Sequence, residues 1–208
     1  MMKTIFYIDL DRTLFQTSKM DVVWRYIAAH YSVEVPTDVW RFQQDFFVAT
    51  GDMYYYDMSA QLRALGLDSP SVYAAIIHSE LADGRFEFDG CRSLVSFLND
   101  HFEVRVITYG ADDIQRFKAA LCPSLAGVTI MTTLKPKRDF FAALKDQLWM
   151  VDDKAIWRDV PKNVRFIQVS LEGKSIKAPT SSWPIFTTLS DVESYVRREY
   201  TSSASRRS

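Results

Sequence analysis

Two aspartates one residue apart, Asp9 and Asp11, follow the short apolar run Thr4 to Ile8 and precede Thr13. A carboxylate at the end of a strand can act as a nucleophile. A second one, two residues on and past a turn of the chain, can carry a proton to or from the reacting group. Three more fragments place polar residues behind apolar runs. Thr108-Tyr109-Gly110 follows Val104 to Ile107, Asp152-Asp153-Lys154 follows Trp149 to Val151, and Lys135 and Lys137 leave the run Val128 to Met131. Each fragment alone has a bland reading, since a terminal Asp can cap a helix and a Thr can satisfy a buried backbone group. Four of them in this order at one rim of a sheet form a constellation, because ligands of open α/β sheets bind outside the carboxyl ends of the strands.

The elements that must position these residues are legible as periodicities. The run Thr4 to Ile8 is short, β-branched and aromatic, as a buried strand requires. From Ser18 to about Gly84 the pattern is helical: Met20, Val23, Trp24, Ile27 and Tyr31 share one face, and Val39, Phe42, Phe46 and Phe47 share another. Shorter helices are expected around Met58, Leu62 and Leu65 and around Val72, Ile76 and Ile77. After Gly84 strands and helices alternate, which argues for a parallel sheet covered on both faces. The expected fold is therefore α/β, a doubly wound parallel sheet with an inserted α-helical cap. Residues 1–16 and 86–208 form the core, 17–85 the cap, and 201–208 a flexible tail.

Asp9-Leu10-Asp11-Arg12-Thr13-Leu14 resembles the first motif of the haloacid dehalogenase superfamily, an apolar strand followed by D-x-D-x-T. Thr108, then Lys135 or Lys137, then Asp152-Asp153 resemble its second, third and fourth motifs in order. The resemblance spans nearly the whole chain, and many members carry a helical cap between the first two motifs. It implies a Rossmann-like core. It does not by itself settle the reaction, because the superfamily includes phosphatases, phosphomutases, dehalogenases and ion-pumping ATPases. The second acid narrows the choice: dehalogenase-like members lack it and the pumps carry Thr there, so Asp11 points to phosphatase or phosphomutase chemistry.

On that reading Asp9 attacks phosphorus to give an aspartyl-phosphate, and Asp11 protonates the leaving oxygen and later activates water. A magnesium ion suits an all-oxygen site and offsets the repulsion between a phosphate dianion and a carboxylate. The resemblance implies as its ligands the Asp9 side chain, the Asp11 carbonyl and an acid of the fourth motif: Asp153 directly, with Asp152 acting through water. A lysine neutralises the transferring oxygens as a point charge. Lys135-Pro136 resembles one version of the motif and Lys137, ahead of Asp139-Phe140-Phe141, another, with Lys137 preferred. Thr108 and the N–H groups of Tyr109 and Gly110 are expected to donate to phosphoryl oxygens. Tyr54, Tyr55 and Tyr56, in a turn from Gly51 to Asp57, are expected to face an organic leaving group, although three consecutive tyrosines cannot all point inward.

Composition limits the other classes. With 48% hydrophobic and 25% charged residues the chain is that of an ordinary globular protein. A net charge of −1 and the lack of a basic stripe argue against a nucleic-acid partner or a membrane surface. The apolar N-terminal run is too short for a signal peptide, so a cytoplasmic location is expected. Cys91 and Cys122 lack CxxC spacing and read as core thiols. The expected function is magnesium-dependent hydrolysis of a small phosphorylated metabolite. The alternatives are a phosphomutase using the same Asp pair and a catalytically silent binding protein on the same fold.

Overall fold

Strand β1 (Ile5–Ile8) lies inside the main sheet of a computed structural model, which describes residues 3–154, 160–173 and 183–204. The chain continues through α1 (Met20–Tyr31), α2 (Val39–Gln44), β2 (Phe47–Thr50), β3 (Met53–Tyr56), α3 (Met58–Ala64) and α4 (Ser69–Ile77). After these come α5 (Cys91–His101), β4 (Glu103–Tyr109), α6 (Asp112–Ala120), β5 (Thr129–Thr133) and α7 (Lys137–Ala142). The chain ends with β6 (Leu148–Asp152), β7 (Val164–Val169), β8 (Ile185–Phe186) and α8 (Leu189–Ala204). The six-stranded sheet has the order β5-β4-β1-β6-β7-β8, with every neighbouring pair parallel. From β1 the chain builds outward through β4 and β5, then crosses back to lay β6 on the other side of β1. The reversal of direction leaves a crevice at the carboxyl end of β1, where Asp9 and Asp11 follow.

The two faces of β1 feed two cores, as the period-two alternation of a strand demands. Phe6 and Ile8 enter a large apolar cluster, whereas Tyr7 enters a smaller one with Phe141 and Met150. Phe6 is fully buried, stacked on Trp149 at 5.8 Å between ring centroids and edge-on to Phe102 at 5.2 Å. Removing an aromatic ring from such a site typically costs about 3–5 kcal/mol. Phe6→Ala should lose stability on that scale in urea unfolding with an unchanged slope. A loss below about 1 kcal/mol would contradict close packing around β1.

The insert departs from its expected form in one way. It is not wholly helical: the second helix stops at Gln44, and Phe46 and Phe47 do not continue its apolar face. Instead β2 and β3 pair antiparallel as a hairpin, with Thr50 opposite Met53. β-branched and aromatic residues make up most of both strands, and Gly51, at φ +60°, occupies the first turn position, which needs a positive φ. The insert shares a core with the sheet. Trp24, Ile27, Met58, Leu62, Val72 and Ile76 belong to the same continuous cluster as Phe6 and Ile8. At the other end of the chain, α8 runs to Ala204, so the first four residues of the expected tail are helical. The remaining tail residues, 205–208, lie outside the described set. Among the described residues no helix is long and apolar enough to cross a membrane.

Candidate active site

The loop after β1 is wound tightly about one carbonyl. Leu10 O accepts the N–H groups of Thr13, Leu14 and Phe15, and Arg12 takes a positive φ of 61° to make the turn. Buried Leu10, Leu14 and Phe15 anchor it from below. Asp9 is thereby held at the rim, 4% exposed, with its N–H donating to Val151 O at 2.8 Å. The chain leaves for the insert and returns from it side by side: Gln16 N–H donates to Phe86 O, Phe88 N–H to Leu14 O, and the rings of Phe15 and Phe86 stack at 5.4 Å.

Lys137 opens α7 and donates to both Asp9 Oδ1 and Asp152 Oδ2, the latter at 2.9 Å. Lys135 stays exposed on the preceding loop, so the two lysines separate cleanly. Asp152 also accepts the N–H of Lys154 at 3.0 Å, which leaves it well satisfied. Asp153 differs: its Oδ1 is buried and has no hydrogen-bond partner. Carboxylate oxygens of Asp9, Asp152 and Asp153 lie within 4.8 Å of one another, the one such acidic group among the described residues.

Asp9 and Asp152 share the Lys137 ammonium, and Asp153 lies beside them without a direct contact to it. Burial, reinforced by the charges of Asp152 and Asp11 and opposed by Lys137, pushes Asp9 up to about 7. Burial and the charges of Asp9 and Asp152 push Asp153 up to about 8. For Lys137, burial works against the charge, but Asp152 and Asp9 outweigh it and hold the ammonium above the ordinary lysine range. A divalent cation fits this donor set. It would satisfy the orphaned oxygen of Asp153 and relieve the excess of negative charge, and the ligands are hard oxygens.

Other expected donors are placed differently. Thr108 is fully buried, and its hydroxyl donates to Gln115 Oε1 at 3.1 Å. The Gly110 N–H, expected to donate to a phosphoryl oxygen, donates to Thr133 O at 3.0 Å and prolongs the β4–β5 ladder. Tyr109 directs its hydroxyl to Thr50 in the hairpin, tying the insert to the rim. The tyrosines diverge along β3: Tyr54 is 65% exposed, whereas Tyr56 is partly buried and donates to Gln61. All three border one cavity.

That cavity, of about 760 Å³, is one of two that meet at Asp11. The smaller, about 140 Å³, is bordered by Asp9, Thr108, Lys137 and Asp152, with Met53 of the hairpin above it. Asp11, Tyr109 and Lys154 border both. Asp11 is held by contacts that sequence reasoning missed. It accepts from Thr17 Oγ1 at 2.8 Å, from Gln115 Nε2 at 3.1 Å, and from Lys118 Nζ at 2.8 and 3.0 Å. Burial opposes its charged form, but Lys118, with Thr17 and Gln115, more than compensates and holds it below the ordinary carboxylate range. The available signal was weak: Gln115 and Lys118, three residues apart, sit beside the apolar stripe of Ile114, Phe117 and Leu121.

No family model and no curated protein matches the sequence. Solved structures do match in shape. A protein assigned as a haloacid dehalogenase-like hydrolase, from Burkholderia xenovorans, superposes with a TM-score of 0.64 at 14% identity, over 93% of this chain and 98% of that one. One assigned as a HAD-hydrolase from Bacillus subtilis, solved bound to magnesium, gives 0.55 at 13% identity over 92% and 97%. A 2-haloacid dehalogenase from Pseudomonas syringae gives 0.52 at 18% identity over 95% and 99%. Identities this low speak to architecture alone, and on that level the outcome is plain: the chain has the fold of the haloacid dehalogenase-like hydrolases.

Proposed function

We propose that the protein hydrolyses small phosphomonoesters, with Asp9 as nucleophile and Asp11 as general acid and base. The observation that carries this reading is the convergence of Asp9, Lys137 and Asp152 on a small cavity whose boundary is Asp11. An Asp9 oxygen forms a bond to phosphorus while the bond to the leaving oxygen breaks, and Asp11, in the protonated form that Lys118 disfavours in the resting site, delivers its proton to that oxygen. Water then attacks the aspartyl-phosphate, Asp11 takes its proton, and Asp9 is regenerated with release of phosphate. Lys137 offsets charge on Asp9 and on the transferring oxygens throughout. Asp9, Asp153 and the Asp11 carbonyl would hold a magnesium ion, which supplies positive charge against dianion–carboxylate repulsion. The magnesium-bound neighbour of the same fold supports that choice of cation.

Residues 17–85 act as a cap in this reading. The hydrogen-bonded segments through which the chain leaves for these residues and returns, and the Thr50–Tyr109 contact, suit a segment that closes over the rim and excludes water during transfer. The larger cavity receives the leaving group, with Tyr54 and Tyr55 at its edge.

The test is a phosphate-release screen over sugar phosphates, nucleotides, phosphoserine and short-chain phosphates, with magnesium and with excess EDTA. Release that requires the metal, restored by magnesium and by manganese, is the expected result. Full activity in EDTA would overturn the proposed site chemistry. Isomerisation of a sugar phosphate in the presence of its bisphosphate would reassign the site to a mutase.

A further inference from the structure

Four hydrogen bonds converge on Asp11, and three of them come from one helix. Lys118 on α6 reaches both carboxylate oxygens, and Gln115, one turn earlier, reaches Oδ2. Lys118 is almost fully buried, with its ammonium 5.9 Å from the centre of the Phe15 ring. Burying a lysine is unfavourable unless it is paired, and Lys118 pairs with Asp11 at 2.8 Å. Gln115 is also fully committed. Its amide nitrogen donates to Asp11 and to Tyr109 O, both at 3.1 Å, and its oxygen accepts from Thr108. The backbone makes room for this: Gly110 has φ +145°, and a Cβ there would lie 2.5 Å from Gln115 Nε2. A chain with any side chain at 110 would have to move Gln115 away from Asp11.

Asp11 also stands where the two cavities meet, between the acids that would face a phosphoryl group and the space that would hold the leaving group. A proton donor for the scissile oxygen belongs at that boundary, and its side chain needs a fixed orientation to reach one oxygen and not others. We infer that Lys118 and Gln115 are positioning residues that clamp the Asp11 carboxylate at the boundary between the phosphoryl and leaving-group cavities. The inference rests on the phosphomonoesterase reading above. It goes beyond that reading by assigning part of the acid's function to α6, a helix that carries none of the four motifs.

The experiment uses the full-length protein and a series of aryl phosphates of graded phenol acidity, from phenyl to 4-nitrophenyl phosphate. kcat/KM reports the steps up to departure of the phenol, so it isolates proton delivery from hydrolysis of the intermediate. General acid help is typically worth about 100- to 10,000-fold, and loss of positioning should forfeit part of it. Lys118→Met should therefore lower kcat/KM about 30-fold on phenyl phosphate and about 3-fold on 4-nitrophenyl phosphate, steepening the dependence on leaving group as Asp11→Asn does. Lys118→Arg, which keeps the charge, should recover most of the loss. An equal loss at every leaving group would overturn the inference, because a merely structural lysine lowers all substrates alike. Thermal melting of Lys118→Met, Asp11→Asn and the double variant gives a readout independent of turnover. The double variant should melt no lower than the worse single one, as expected for a coupled pair. Additive losses would mean that no clamp exists, even in an active enzyme. A wild-type protein that releases phosphate from no substrate would instead bring down the phosphomonoesterase reading itself, whatever the melting shows.

Discussion

Asp9→Asn leaves the protein folded and reduces phosphate release to background. Asn has the shape of Asp; its amide oxygen can accept from Lys137 and its nitrogen can donate to the Thr13 hydroxyl, reversing that bond, so the rim is preserved. Its amide cannot attack phosphorus, and no other carboxylate stands first at the end of β1. The folded state should not suffer. Asp9 shares its surroundings with Asp152 and Asp153, and its own carboxyl is pushed up to about 7 by burial and by the charges of Asp152 and Asp11. Removing one of three crowded acids relieves repulsion, so the melting temperature should hold or rise without added metal. Acid-quenched mass spectrometry should find a phosphorylated wild-type chain and no such species in the variant. Retention of even a tenth of the wild-type rate would exclude the covalent route.

Lys137→Ala should lower kcat by about 100- to 1,000-fold, the usual consequence of removing one preorganised charge from a transition state. Lys135→Ala should stay close to wild type, because Lys135 is exposed and its backbone, not its ammonium, is engaged by Thr133. The contrast follows from geometry. Lys137 touches Asp9 and Asp152 together, so its loss leaves buried carboxylates without their shared counter-charge. Some stability will go with it, and melting must be measured beside turnover. A rate loss that merely tracks the unfolded fraction would make Lys137 structural. Two variants of equal and undiminished activity would remove the third motif from the site altogether.

Some of this site was legible in the chain because it depends on neighbours in sequence. The run Ile5 to Ile8 alternates toward two cores because side chains of a strand alternate, and the acids after it must then emerge at a strand end. Strand–helix alternation after Gly84 leads to a parallel sheet because parallel strands need crossovers. The order of the four fragments along the chain places them at one rim for the same reason. Other features required the tertiary structure. Lys135 and Lys137 each resemble a version of the motif, with only a preference for Lys137 in sequence, and it is the start of α7 that brings Lys137 to Asp9, 128 residues away. Asp152 and Asp153 are adjacent acids, yet the pleat and the position of Lys137 satisfy one and leave an oxygen of the other bare. The Phe46-Phe47 pattern suits a helix face as well as a strand, and pairing across Gly51 decides for the hairpin. The hold of Lys118 on Asp11 spans 107 residues and joins a helix face to a loop. Periodicity describes which side of a helix is apolar; it carries no information about which distant charge waits opposite a polar residue at the stripe's edge, and that is settled only when the sheet sets α6 beside the loop after β1.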